Sequence, residues 1–210
     1  PREPVVVDTV QPDTEEGTLV LADVSVGRRM GGVKPTEVKS LLIMEEMPRP
    51  VAKCAYPDAI GLQKNYVLHR VLGTVPVYED GSAHFKVPAG RPLFFVAQDE
   101  NGRSVKKMHS FLSVMQGETT SCVGCHEHRT RAPREKYDFS TLEAVQNPAD
   151  PITPVPGVPQ IFDYMRDIQP IWDKHCIKCH NYEKFAGKLV LEDDINPTYN
   201  TSYSSIVHNR

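Results

Sequence analysis

Over residues 10–126 hydrophobic and polar positions alternate in short runs bounded by turn dipeptides, the period of half-buried strands. Val20, Ala22, Val24 and Val26 alternate with Leu21, Asp23 and Ser25, which predicts a strand. Val71–Val77 and Ala83–Val87 flank Asp80-Gly81, a dipeptide of hairpin type; in the second run Ala83, Phe85 and Val87 share one face, His84 and Lys86 the other. Leu93–Ala97 is a nearly continuous apolar run, suited to a strand covered on both faces, and Asn101-Gly102 joins it to Ser104-Val105 and then to Met108–Met115. The segment Thr36–Met47 reads two ways. Val38, Leu41 and Leu42 fit a helical face, while Val38, Ser40, Leu42 and Met44 fit the inward side of a strand; its neighbours favour the strand. The sum predicts a mainly β fold with a smaller α part, its first domain (1–126) a β-sandwich of immunoglobulin- or transthyretin-like type.

After residue 126 the pattern changes. Residues 127–147 are charged and partly helical in character, and Pro148, Pro151, Pro154, Pro156 and Pro159 fall within twelve residues, the composition of a stiff connector. This predicts a linker over 127–160 and a small helical, cytochrome c-like domain over 161–210. Asp167 reads as the N-cap of a helix over 168–179, with Pro170 in the first turn, where a missing N–H is tolerated. Ile161, Met165, Ile168 and Trp172 form a helical stripe that reads as ordinary packing, although the edge of a porphyrin would impose the same pattern.

Charge removes two classes of partner. Lys and Arg total 24 against 27 Asp and Glu, a formal net charge of -3 with no basic block, so nucleic acid is not expected. No run approaches the roughly 18 apolar residues of a membrane span. The opening Pro1-Arg2-Glu3-Pro4 reads as that of a processed chain or a fragment.

The chemistry lies in the cysteines. Cys122-Val123-Gly124-Cys125-His126 and Cys176-Ile177-Lys178-Cys179-His180 are both C-x-x-C-H, the attachment signature of c-type haem. Two thiols three residues apart reach the two vinyl groups of a porphyrin, and the following imidazole is the axial ligand of the iron. Two covalent haems c are therefore expected, at Cys122, Cys125 and His126 and at Cys176, Cys179 and His180. Two C-x-x-C pairs can also close a zinc site or act as redox dithiols. Zinc is disfavoured because 50 residues separate Cys125 from Cys176, where zinc ribbons have roughly 15–20. Cys54 is left over and reads as a free thiol. Covalent haem attachment implies the periplasm or the cell surface.

The sixth position on each iron separates electron transfer from catalysis, because a second strong ligand closes the metal to substrate. His69 and His109 are candidates for the first haem and His208 for the second; His84 reads as solvated, and His128 and His175 stand too near their own motifs. Met30, Met44, Met47, Met108, Met115 and Met165 complete the possible ligands, with Met108 and Met115 beside Phe111 and Leu112 reading first as core filler. Arg129, Arg131 and Arg134 follow the first motif and are candidates to pair with haem propionates.

Several stretches carry a resemblance. Arg70-Val71-Leu72-Gly73-Thr74-Val75-Pro76-Val77, Asp80-Gly81-Ser82, Val87-Pro88-Ala89-Gly90, Gly117-Glu118 and Ser121–Glu127 resemble the C-terminal part of large multidomain proteins related to the hydrazine synthase alpha subunit. Asp167–His180 with Ala186-Gly187 is similar to cytochrome c domains of planctomycete-type proteins. The resemblance implies haem at the six motif residues, and a β-propeller among the neighbouring domains. The expected function is a dihaem cytochrome passing single electrons between redox partner proteins. The alternatives are a catalytic haem module for nitrogen-compound or peroxide chemistry, with the second haem as relay, and a haem-chaining subunit of an oligomer or filament. No phosphate loop, G-x-S-x-G or H-E-x-x-H accompanies the haem motifs.

Overall fold

The computed structural model describes residues 10–48, 68–126, 130, 138–195, 197 and 199–208, the side chain of His208 excepted. The chain divides into two compact units, residues 1–46 with 71–158 and residues 47–70 with 159–210.

The first unit is built of seven strands: β1 (Glu16–Asp23), β2 (Ser40–Glu46), β3 (His69–Pro76), β4 (Ala83–Pro88), β5 (Leu93–Gln98), β6 (Ser104–Lys107) and β7 (Thr119–Gly124). They form a three-stranded sheet of order β4-β1-β7 and a four-stranded sheet of order β3-β2-β5-β6. Side chains from both sheets, among them Leu19, Leu41, Ile43, Val75, Phe85, Val87 and Leu93, share one buried cluster. That cluster makes the unit a two-layer β structure, each strand turning alternate residues inward.

β1 is buried on both faces. Leu19 and Leu21 enter the cluster between the sheets, while Val20 and Ala22 pack with Leu142, Phe139 and Val145 on the outside. The outer cover is a pair of 3₁₀ turns, Phe139–Thr141 and Glu143–Gln146. Here the structure departs from the expected connector. Asp150 exchanges backbone bonds with His84 and Lys86, and Thr153 with Thr74, so residues 138–158 lie against the strands and belong to the first unit. The prolines suit that role, because an extended segment on a sheet edge needs only some of its N–H groups.

Two turn readings separate. Asn101-Gly102 does close a hairpin between β5 and β6. Asp80-Gly81 does not: Gly81 N–H donates to Tyr78 O in a local turn, but β3 and β4 belong to different sheets. The dipeptide makes a corner between layers, pinned by Asp80, whose carboxylate accepts from the N–H and Oγ of Ser82 and from the N–H of Glu143. The segment 36–47 is a strand, with the other set of residues inward than expected: after a 3₁₀ turn at Pro35–Glu37, Leu41, Ile43 and Glu45 are buried. Residues 108–115 form no strand but meet β5 through Met108 N–H, which donates to Phe95 O, and a bridge from Leu112 to Leu93, and Val114 is buried in the cluster; Phe111 and Met115 are exposed, against their reading as core.

The regular structure in the described part of the second unit, the two end residues of β3 apart, is short and helical. A single π turn at Tyr164–Ile168 leads into α1 (Gln169–His175), and α2 (Thr201–His208) closes the chain. The N-cap is Asp163, which accepts from Arg166 N–H, rather than Asp167, and the helix stops at Cys176 instead of running through the motif. Ile161 and Met165 of the expected apolar stripe are exposed, and the buried side chain of α1 is Gln169.

Candidate functional site

β7 runs parallel to β1 at the edge of its sheet, with Leu21 opposite Cys122 and Asp23 opposite Gly124. The pairing continues past the strand. Cys125 N–H donates to Val26 O at 2.7 Å, and Arg28 N–H to His126 O at 3.1 Å. The backbones come so close here that a Cβ on Gly124 would stand 2.2 Å from Val26 O, and one on Gly27 2.3 Å from Cys125 O. The glycine inside the first motif is therefore required by the sheet. His126 has a φ of +62°, a left-handed conformation that costs a non-glycine residue roughly 1–2 kcal/mol. Bonds at both ends hold it there: its N–H donates to Gly124 O at 2.9 Å, and its carbonyl accepts from Arg28.

Cys122, Cys125 and His126 line a cavity of about 700 Å³ in the first unit. Leu19, Leu21, Leu41, Phe85, Phe95 and Leu112 form its apolar wall; Lys106, Ser110 and Ser121 bring polar groups. The volume falls within the roughly 300–1,000 Å³ of cofactor sites, and the mixture of an apolar wall with few polar groups is typical of them. Burial pushes the Cys125 thiol up to about 11; the Lys106 ammonium opposes the shift and Cys122 adds to it. A protonated, half-buried thiol is a poor nucleophile for disulfide exchange, which weighs against a redox dithiol. Lys106 Nζ donates to Arg28 O at 2.7 Å, tying β6 to the loop that pairs with the motif. An apolar hollow with two thiols and an imidazole at its wall fits a covalently attached porphyrin.

The second motif follows α1 in a tight turn. Cys176 N–H donates to Trp172 O at 2.8 Å, Cys179 N–H to Cys176 O at 3.1 Å and His180 N–H to Cys176 O at 3.0 Å. His180 Nδ1 lies 2.9 Å from Ala186 O. A carbonyl only accepts, so Nδ1 is the donor, which leaves Nε2 as the nitrogen that a metal would take. The loop carrying Ala186 is left-handed at Phe185, Gly187 and Lys188, with φ of 41°, 62° and 60°. Met165, Ile171, Tyr182 and Phe185 of this unit are large exposed side chains. Among the described residues no group of three or more His, Cys, Asp or Glu is arranged to hold a metal ion by itself.

The distal candidates scatter. His69 opens β3 and His109 is exposed after β6; neither lines the cavity, whereas the neighbouring Met108 and Ser110 do. Met108, read as core filler, is thus the methionine on the cavity wall. Met30 is buried in the first unit away from that wall. His84 Nδ1 lies 3.2 Å from Asn147 O, a structural bond, and His175 is exposed at the end of α1. His208 ends α2 with its side chain outside the description. Cys54, His128, Arg129, Arg131 and Arg134 lie outside the described residues. Sequence reasoning missed Lys106 as a site residue, because only strand pairing carries it to the wall.

Residues 36–127 match the family model described as the hydrazine synthase alpha subunit middle domain, a span that holds β2 to β7 and the first motif and stops short of the second. No curated protein matches the chain. Among solved structures the chain is similar to Kuenenia stuttgartiensis hydrazine synthase, with a TM-score of 0.69 and 17% identity over 91% of this chain and 33% of that one. The chain thus spans about a third of that protein's length, and the shared feature is the fold. The resemblance seen in the sequence is upheld: the chain carries a hydrazine synthase alpha-like region.

Proposed function

We propose that this chain is a haem c module of the hydrazine synthase alpha kind, in which the cavity beside the first motif is a reaction site for small nitrogen compounds and the second motif carries an electron-relay haem. The observation that carries the reading is the cavity of about 700 Å³ walled by Cys122, Cys125 and His126 inside the family-matched span. Cys122 and Cys125 would hold the first haem as thioethers and His126 would ligate its iron; Cys176, Cys179 and His180 would take the same roles in the second. A bound haem supplies one-electron redox chemistry at its iron. The chain's own residues do the rest. Leu19, Leu41, Phe85 and Phe95 exclude water from the inner wall, which strengthens every polar interaction in the hollow. Lys106 and Ser110 offer donors to a small polar substrate, and Lys106 also holds the loop behind His126.

Covalent attachment places such a module in the periplasm or at the cell surface, working with redox partner proteins or with further domains. No helix among the described residues is long and apolar enough to cross a membrane.

The test is the visible spectrum of the reduced protein with and without carbon monoxide, beside a haem count. The expected result is two haems per chain, with the bands of one shifted by the gas. Absence of a Soret band overturns the reading. Two haems that both ignore carbon monoxide turn it into plain electron transfer, the reading that saturated irons would favour.

A further inference from the structure

We infer that Gln169 is the positioning residue of the second haem site, acting on His180 through Leu191; the inference rests on the reading of the second motif as a haem site. Gln169 is 2% exposed, an uncharged but strongly polar side chain buried on a seven-residue helix, where an apolar one would ordinarily stand. Its amide is fully engaged. Nε2 donates to Leu191 O at 2.9 Å and to Asp173 Oδ1 at 2.7 Å, and Oε1 accepts from Ser202 Oγ at 2.6 Å and from Asn200 Nδ2 at 3.1 Å.

The bond to Leu191 sets the direction of the argument. Leu191 N–H donates to His180 O at 2.9 Å, so Leu191 is held by Gln169 at its carbonyl and grips the backbone of the candidate axial histidine through its N–H, on the two successive peptides that flank its Cα. From the opposite end His180 Nδ1 donates to Ala186 O, on a loop whose left-handed residues Phe185 and Lys188 are strained in isolation. Strain of that kind persists only where its surroundings hold it. Val190 and Leu191, the segment that leaves the loop, are the buried apolar residues beside it; Ser205 Oγ accepts from Val190 N–H at 3.0 Å, and Gln169 anchors the Leu191 carbonyl, one residue nearer the bond to His180. Loss of the anchor lets the loop relax and lengthens the His180–Ala186 bond. An imidazole that donates less through Nδ1 is a weaker base at Nε2, which favours the reduced iron.

The experiment is potentiometric titration of the holoprotein, followed optically, with a haem count on each sample. Gln169→Met keeps the volume and removes both arms of the amide. Its expected result is a second haem whose oxidised-to-reduced ratio at fixed potential falls up to tenfold, a rise of up to about 59 mV for one electron, with the first haem unchanged. Ser202→Ala, which loses a bond to the same amide but leaves the donation to Leu191, is expected to lower stability without moving the potential. Should Gln169→Met not fold, Gln169→Asn carries the test, since its shorter amide falls one bond short of Leu191. Two haems attached and an unmoved second potential in the folded variant overturn the inference. Fewer than two haems in the unaltered protein overturn the haem reading beneath it, and the inference with it.

Discussion

Cys122 and Cys125 stand at the edge of a sheet whose next strand, β1, is buried on both faces, whereas Cys176 and Cys179 follow a seven-residue helix whose buried side chain is an amide. Among the described residues, the buried apolar side chains of the second unit are Val190 and Leu191; the first has a cluster running from Leu19 to Val114. Gln169, Asn200 and Ser202 occupy the interior of the second unit instead, tied to each other. A small unit with so little apolar burial is marginal by itself. One C-x-x-C-H is thus mounted on a frame with its own apolar core; the other belongs to a unit with little apolar burial, which a bound haem, on the proposed reading, would complete.

The largest expected effect follows directly. Replacing Cys176 and Cys179 by alanine abolishes attachment at the second site, and amide exchange in α1 and α2 then rises to that of an unfolded segment while β1 and β2 stay protected. Replacing Cys122 and Cys125 leaves both units protected. Protection of α1 and α2 without the second haem breaks the comparison.

Next in size is Phe85→Ala. Phe85 is 2% exposed, packs edge-on to Phe95 with ring centroids 5.7 Å apart and forms part of the cavity wall. The loss is about 3–5 kcal/mol of stability in the first unit, read as a shift in denaturant midpoint at constant slope. Exchange in α1 should not change. A variant that loosened both units equally would mean that they unfold as one.

How far the sequence carried can be judged at the same places. The strands were legible because a side chain's face follows from its parity, and the two C-x-x-C-H motifs because their spacing is local in the chain. The corner at Asp80-Gly81 was misread as a hairpin because the turn is local, while the choice of partner strand depends on contacts far away in sequence. The same blindness hid the covering role of Phe139, Leu142 and Val145, whose neighbourhood reads as a connector until Val20 and Ala22 are seen to need a second cover. The cavity was illegible for that reason too: Leu41, Phe95, Lys106 and Cys125 meet only once two sheets are assembled.

A smaller effect sharpens the claim that the first motif depends on the sheet. Gly124→Ala drives a Cβ into Val26 O and is expected to cost about 1–3 kcal/mol. Gly31→Ala, where nothing lies within 4 Å, serves as the control and should stay within about 0.5 kcal/mol. Chemical denaturation checks both, and a haem count on the Gly124 variant should show attachment impaired at the first site and intact at the second. Equal stability of the two variants would detach the motif from the frame.

The smallest effect concerns the clasp that holds the outer cover on β1. Burial alone would raise the Asp80 carboxyl, but bonds from Ser82 Oγ and from the N–H groups of Glu143 and Ser82 outweigh it and hold the group below the usual carboxylate range. A carboxyl lowered on folding stabilises the folded state fully above its unfolded value, near ~3.9, and the contribution fades as pH falls through the folded value. Asp80→Asn should therefore cost about 1 kcal/mol at neutral pH, a modest figure because the group is exposed, and the gap to the unaltered protein should close on acidification below the carboxylate range. Thermal denaturation across that range checks the sign. Asp80 belongs to the frame and to neither motif, so both haem potentials should be unchanged in this variant; a shift in the first would mean that the cover over Val20 and Ala22 also governs the cavity on the other side of β1.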